Sequence, residues 1–171
     1  MVLAIATAGV LIANLETTDK PVQISGLDIA VANWATKINA APNAVAATEL
    51  MAARETTLFK AFAIDTRGYS GKGIISGIAP MHEGGGLSVT AGRVTLTAGV
   101  IIGDGLDTLI KLSEPVHDQL LQLSVGDEVE FRGIFPATSS NSMALLNYSA
   151  ESSISHPNYL FKFSAIDKIR P

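Results

Sequence analysis

The spacing of apolar residues changes abruptly at Tyr69, and this change constrains the fold more than any other feature of the chain. Before Tyr69, apolar residues recur every three or four positions, which is the spacing of a helix with one buried face. After it, glycine becomes frequent, β-branched residues dominate and the apolar period falls to two, as in a strand with one buried face. The sequence therefore predicts helices followed by a β-rich unit.

Two helices are predicted before Tyr69. Ser25 stands three residues before Asp28, a pattern that marks helix N-termini, and Pro42 ends the first helix because its ring does not fit a helix interior. Asn43 is expected to cap the second helix. The apolar face of the first helix contains Leu27, Ala30, Val31, Trp34 and Ile38, and that of the second contains Ala47, Leu50, Met51, Arg54, Leu58, Ala61 and Phe62.

Five main strands and one further helix are predicted after Tyr69. Gly77 is expected to mark a bulge or a strong bend in the first strand, and Asp104-Gly105 to form a hairpin turn between the second and third. Val129 and Phe131 are expected to face inward in the fourth strand. The strands cover residues 73–78, 93–102, 106–112, 128–135 and 159–169, with a short additional strand at 87–90, and the helix covers 114–123.

Three strands, a helix and two strands form the order of the OB-fold, with the helix placed between the third and fourth strands to plug the barrel. The predicted fold class is therefore α+β, with N-terminal helices followed by a five-stranded OB-type β-barrel and its plug helix. The expected divisions are a hydrophobic N-terminal segment and link at residues 1–26, a helical region at 27–68 and the barrel at 69–171.

Two stretches of the chain resemble the bacterial tRNA-anticodon-like OB-fold family. The first is ELMAARE at residues 49–55, followed by Ala61, by YSGK at 69–72 and by Gly77. The second is LSVGDEVEFRG at 123–133, which is similar to the family's Leu-x-x-Gly-Asp-x-Val-x-x-x-Gly entry into the fourth strand. The resemblance covers residues 47–169. It implies a binding module of the bacterial cell envelope and carries over no catalytic residue.

Composition argues against several function classes. With a net charge of -4 and 12 Lys and Arg residues that form no basic run, the chain lacks the clustered cations that displace counterions from nucleic acid, so nucleic acid is not an expected partner. The absence of cysteine removes disulfides, thiolate zinc sites and cysteine nucleophiles. The histidines His82, His117 and His156 are too widely separated in sequence to indicate a metal site.

The sequence contains no motif of a catalytic centre. The serines form no Gly-x-Ser-x-Gly elbow, and the glycines at 84–86 lead into a strand rather than a helix that begins with a Lys-Ser/Thr pair. Asp104 and Asp107 lack the further oxygen ligands of a calcium loop. We therefore expect a protein that is not an enzyme and has no catalytic residue, metal or cofactor.

A ligand surface is expected where OB-folds carry one, on the second and third strands and the loops beside them. Its candidates are His82, Arg93, Thr95, Lys111, Tyr148 and His156. The alternating Tyr159, Phe161 and Phe163 fit two interpretations, either barrel core or a platform on which nucleic-acid bases stack.

The first fifteen residues carry no charge. They are too few to span a membrane, which takes about 20 apolar residues, and they lack the basic start of a signal peptide. Three interpretations stay open: the remainder of a membrane anchor, a hydrophobic element buried against a partner, or ordinary core. The candidates for an interface are Leu3, Val10, Leu11, Leu27, Val31, Trp34 and Ile38.

The leading hypothesis is a non-enzymatic OB-fold binding and assembly module that associates with other proteins, including copies of itself. It rests on an apolar N-terminal part that exceeds what the barrel needs to cover one side. The cell envelope, with membrane contact through the N-terminal segment, is favoured over the cytoplasm. The alternative hypothesis is a protein that binds single-stranded nucleic acid or oligosaccharide on the barrel face.

Overall fold

The computed structural model describes residues 22–23, 26–63, 68–83, 87–96, 99–105, 108–136, 138–147 and 149–170. At 22–23, 81–83 and 87–91 it describes the backbone alone. The fold is mixed α+β, which confirms the predicted class. Of the predicted site residues, Leu3, Val10, Leu11 and Tyr148 lie outside the described residues, as does the side chain of His82.

Four helices and eight strands make up the described part of the chain. The helices are α1 (Leu27–Asn39), α2 (Ala44–Phe62), α3 (Pro115–Leu120) and α4 (Ala150–Ser155). The strands are β1 (Val22–Gln23), β2 (Tyr69–Glu83), β3 (Leu87–Thr95), β4 (Ile101–Gly103), β5 (Ile110–Lys111), β6 (Glu128–Ile134), β7 (Asn158–Leu160) and β8 (Lys162–Lys168). None of these helices is long and apolar enough to cross a membrane.

The helices begin at residues suited to helix N-termini. Asn43 caps α2 as predicted, because its Oδ1 accepts a hydrogen bond of 3.0 Å from the N–H of Ala46. Helix α1 begins instead after Gly26, whose φ of 108° is a left-handed conformation that glycine adopts without strain. Pro115 occupies the first turn of α3, where its missing N–H costs nothing.

Helix α3 packs against the sheet through apolar and polar contacts. Its side chains Val116 and Leu120 are buried. Gln119 Nε2 donates to Asp167 Oδ1 at 2.9 Å, and Gln119 Oε1 accepts from the N–H of Ile166 at 3.0 Å. The predicted helix between the third and fourth strands is therefore present and is held against β8.

Six strands form one hydrogen-bonded path in the order β7-β4-β3-β2-β6-β8, with β1 added to β2 and β5 added to β3. Neighbouring strands are antiparallel except for the pairs β1–β2 and β4–β7, which are parallel. The two ends of the path, β7 and β8, follow each other in the chain with Phe161 alone between them. β7 and β8 are not hydrogen-bonded to each other as strands, so the sheet is open at this point.

The strand count differs from the predicted five for three reasons. β1 is an additional strand, the predicted second strand is divided by the connection between β3 and β4, and the last predicted strand is interrupted at Phe161. The predicted third strand is shortened to β5, which pairs with β3, as β4 does. Because β4 and β5 share a partner, the predicted hairpin at Asp104-Gly105 is wrong. The tight connection lies between β3 and β4, where the N–H of Gly99 donates to the carbonyl oxygen of Leu96 at 3.0 Å.

Strands β6 and β2 show the alternation and the irregularity that the sequence predicts for them. In β6, exposed and buried residues alternate, and Val129 and Phe131 are both fully buried as predicted. In β2, the pairing with β3 shifts between Ile75 and Gly77, which confirms the bulge expected there.

Aromatic side chains fill the centre of the core. Tyr159, Phe161 and Phe163 are buried, which decides for core over a stacking platform. Phe161 meets Phe131, Phe135 and Phe163 edge to face, with ring centroids 5.7, 4.8 and 5.0 Å apart. This arrangement is favoured because the positive edge of one ring meets the negative face of the next.

Three of the predicted interface residues are used inside the chain. Leu27, Val31 and Ile38 are only 0%, 4% and 2% exposed. Leu27 and Val31 belong to the same buried cluster as the sheet. Packing between the helices and the sheet therefore accounts for the apolar area of Leu27 and Val31, and none of the three side chains is exposed. Trp34 is half-buried, with Lys37 Nζ 4.7 Å from the centroid of its ring.

Candidate functional site

Three of the six predicted ligand-surface residues share one face of the sheet. Side chains of a strand alternate between faces, so Arg93 and Thr95 lie on the same face of β3, and Val94 between them is buried. Lys111 on β5 pairs with position 89 of β3, which is an even number of residues from Arg93. Lys111 therefore lies on the same face as Arg93. Arg93 and Lys111 are exposed and Thr95 is half-buried. We call this outer face of β3, β4 and β5 the Arg93 surface.

Two glycines form the floor beneath Arg93. Arg93 pairs with Gly77 of β2 on one side and with Gly103 of β4 on the other. A Cβ atom at Gly103 would lie 3.0 Å from Arg93 Cγ, and one at Gly77 would lie 3.5 Å from Arg93 Cδ. The aliphatic stem of Arg93 therefore rests on bare backbone. Within the described residues, no carboxylate lies at ion-pair distance from its guanidinium.

A buried amide oxygen lies at the edge of the Arg93 surface. Asn158 Oδ1 is buried and accepts no hydrogen bond from the described residues. It would lie 3.7 Å from a Cβ atom at Gly103. The position of Asn158 is fixed, because its N–H donates to Asn147 Oδ1 at 2.7 Å and Asn147 Nδ2 donates to the carbonyl oxygen of His156 at 3.1 Å.

The remaining three candidates are not placed on this surface. His156 is exposed beside Gly99, at the connection between β3 and β4, and its Nδ1 lies 3.0 Å from Ser155 Oγ. Tyr148 and the side chain of His82 belong to the residues outside the description.

A buried group of polar side chains, not predicted from the sequence, lies between α2 and β7 and consists of Arg54, Glu55 and Tyr159. Arg54 is 0% exposed, and its Nε donates to Glu55 Oε1 at 2.7 Å. Burial raises the pKa of Glu55, while the charge of Arg54 opposes that rise. Burial and then the negative charge of Glu55 raise the pKa of Tyr159. The signal in the sequence was Arg54 itself, an ionised residue on an otherwise apolar helix face.

Asp104, predicted to lie in a hairpin turn, is a second buried acid. It is 6% exposed, and its Oδ2 accepts a hydrogen bond of 2.8 Å from the N–H of Gly92. Burial raises the pKa of Asp104 to about 7, the Gly92 hydrogen bond opposes this rise, and the charge of Glu114 adds to it. Its other oxygen has no hydrogen-bond partner in the described part of the chain.

The buried polar groups and the exposed cations occupy different surroundings in the described structure. No cluster of three or more His, Cys, Asp or Glu side chains able to hold a metal ion occurs among the described residues. Arg54, Glu55 and Asp104 are enclosed by core, whereas Arg93 and Lys111 face solvent. Arg93 and Lys111 can therefore bind acidic groups or hydrogen-bond acceptors on the surface of another molecule. Comparison with protein-family models and with curated proteins gave no match for this chain.

Proposed function

We propose that the strands close into the OB-type barrel. The support comes from Phe161, the single residue between β7 and β8, whose N–H donates to the carbonyl oxygen of Gly103 at 2.8 Å. This bond continues the pairing of β7 with β4 into the break. If β7 and β8 count as one interrupted strand, the path returns to β2 through β6 and has five members, as in an OB-fold.

We propose further that the barrel is a non-enzymatic binding and assembly module whose contact surface is the Arg93 surface. The observation that carries this proposal is an exposed guanidinium above a floor of two glycines, with half-buried Ile101 and Leu160 beside it. Arginine with an apolar surround is typical of the energetic centre of a protein interface. A second copy of the chain is the first partner to test.

A protein partner is favoured over the alternative of single-stranded nucleic acid or oligosaccharide. Binding of single-stranded nucleic acid depends on aromatic side chains on which bases stack. Among the described aromatic residues, Trp34 and Phe62 lie on the helices and the others are buried. The Arg93 surface therefore offers no described ring to a base, and the net charge of -4 adds no attraction to phosphate.

The proposed site of action is the cell envelope. This part of the proposal rests on the uncharged residues 1–15 and on the sequence resemblance. The same segment is the second proposed assembly element, since leaving its apolar side chains in water costs about 1.5–3 kcal/mol for each large aliphatic residue.

Sedimentation at several protein concentrations tests this function. We expect the full chain to associate as its concentration rises and Arg93→Glu to weaken that association. Arg170→Glu changes an exposed arginine outside β3, β4 and β5 and should leave the association unchanged. A chain that lacks residues 1–21 but keeps β1 tests the N-terminal segment separately. A chain that stays monomeric throughout and binds a single-stranded oligonucleotide or oligosaccharide would contradict the proposal in favour of the alternative.

A further inference from the structure

A cavity of about 340 Å³ opens on the outer side of the sheet, away from the Arg93 surface. It lies where β2 begins, β6 ends and β8 begins. Four of its lining residues are exposed, namely Arg132, Ile134, Lys162 and Ser164. The other four, Gly68, Tyr69, Gly133 and Phe163, are buried. We call it the β6–β8 cavity.

A bulge in the pairing of β6 with β8 shapes this cavity. The register shifts between Arg132 and Gly133, so that Arg132 pairs with Ala165 while Gly133 pairs with Phe163. Ser164 is the extra residue on β8. A bulge leaves the extra residue outside the regular ladder and bends the strand. Here the bulge makes the surface between β6 and β8 concave, where regular pairing would leave it flat.

Two cations stand at the mouth of the cavity without a counter-ion. Arg132 and Lys162 are both exposed and occupy diagonal positions on the outer face, since Lys162 pairs with Ile134 two residues beyond Arg132. No described carboxylate lies at ion-pair distance from either one. The nearest acid along β6 is Glu130, which faces Lys72 and Asp167 in its own row of the sheet.

The remaining lining adds a polar and an apolar component. The hydroxyl of Ser164 makes no hydrogen bond within the described residues and is available to donate. Ile134 is 44% exposed and offers an apolar surface at the cavity. The cavity volume is at the lower end of the range for small-molecule sites, which suits a ligand with about one ring.

We propose that the β6–β8 cavity binds a small organic anion through a phosphate or carboxylate group. The guanidinium of Arg132 engages two oxygens of such a group in parallel, as its planar donors allow, and Lys162 adds a second positive charge. Ser164 donates to a remaining oxygen, and the apolar body of the ligand lies on Ile134. The same anion relieves the repulsion between two neighbouring cations.

Calorimetric titration with phenyl phosphate, benzoate and inorganic phosphate tests the proposal. We expect at least one of the two aryl anions to bind more tightly than inorganic phosphate, because it also covers Ile134. The comparison of phenyl phosphate with benzoate decides which anionic group the site prefers. Arg132→Gln should weaken binding by about tenfold or more, the equivalent of one charge-assisted hydrogen bond. Lys162→Gln should weaken it as well.

Arg170→Gln is the matched control, because it removes an exposed arginine that does not line the cavity. It should leave anion affinity unchanged. Neither the cavity nor this control includes Arg93, so failure of one proposal does not imply failure of the other. Amide NMR shifts on addition of the aryl anion should centre on Gly133 and Ser164. Unchanged affinity in Arg132→Gln and Lys162→Gln, or binding by none of the three anions, would overturn the inference.

Discussion

Asp104 and Gly92 are joined twice across the sheet. The N–H of Asp104 donates to the carbonyl oxygen of Gly92 at 3.0 Å, and the N–H of Gly92 donates to Asp104 Oδ2 at 2.8 Å. The two bonds extend the pairing of β4 with β3 by one residue beyond Gly103 and place a carboxylate inside the protein. Because burial raises the pKa of this carboxyl to about 7, its protonation state changes near neutral pH.

This relationship predicts a pH-dependent stability. The pKa of Asp104 is about 7 in the folded protein and near its ordinary value of 3.8 in the unfolded chain. The stability that the folded protein gains by holding this proton is therefore complete below pH 3.8 and is lost as the pH rises to about 7. Asp104→Asn cannot ionise. Its free energy of unfolding relative to wild type should therefore increase over this interval, by on the order of 4 kcal/mol, and then level off.

Urea denaturation of both proteins across this pH range measures the difference. The control for the amide replacement is Asp118→Asn, whose side chain is 80% exposed. Parallel stability curves for Asp104→Asn and wild type would show that Asp104 ionises freely in the folded protein.

Asp104 also shows where sequence reasoning ended. Asp-Gly is a strong signal for a tight turn, and the local pattern contains nothing that marks Asp104 as buried. Its burial depends on β4 and β5 both pairing with β3, which is a long-range relationship. Helices α1 to α3, the alternation in β6 and the α+β class depend on local periodicity and were predicted, whereas the short helix α4 was not. The β6–β8 cavity depends on a register shift between distant strands, and no local pattern encodes it.

Gly133 permits the close approach of β6 and β8, and this predicts that Gly133→Ala is severely destabilising. A Cβ atom at this position would collide with the carbonyl oxygen of Lys162 and with the ring of Phe161, both of which are held by the core. We expect a loss of about 3 kcal/mol or more in the free energy of unfolding, since backbone atoms yield less readily than side chains.

The matched control is Gly77→Ala, in the other bulged strand. Its added Cβ would lie 3.5 Å from Arg93 Cδ, which is an ordinary contact. The cost should be within about 1 kcal/mol. Equal urea midpoints for Gly133→Ala and Gly77→Ala would mean that β6 and β8 are further apart than described.

The Arg54–Glu55 pair illustrates a signal that the sequence did contain. Arg54 falls on the apolar face of the second helix, and a fully buried arginine is rare unless it is paired. Sequence alone did not name the partner, because Glu55 is its neighbour in the chain and neighbours usually point to different sides of a helix. In the structure the two side chains converge, with Arg54 Nη2 and Glu55 Oε1 2.7 Å apart.

A double-mutant cycle at this pair should be strongly non-additive. Arg54→Met leaves Glu55 without its charge partner inside the core, and Glu55→Met does the same to Arg54. Each substitution should lower the free energy of unfolding by about 3–5 kcal/mol. The double substitution removes both charges and keeps most of the volume. Because Arg54 Nη1 and Glu55 Oε2 have no hydrogen-bond partner in the described structure, little polar compensation is lost with them. We expect the double variant to be more stable than either single one.

Lys168, which is 53% exposed and whose Nζ lies 2.6 Å from Asp127 Oδ1, supplies the control for this cycle. Lys168→Met should leave the urea midpoint near that of wild type, because solvent screens an exposed charge and replaces a lost partner. Urea denaturation of the wild type and of the three Arg54 and Glu55 variants measures the coupling. If the two single costs simply add in the double variant, the pair does not interact in the core, and burial of the two charges must be compensated by other groups.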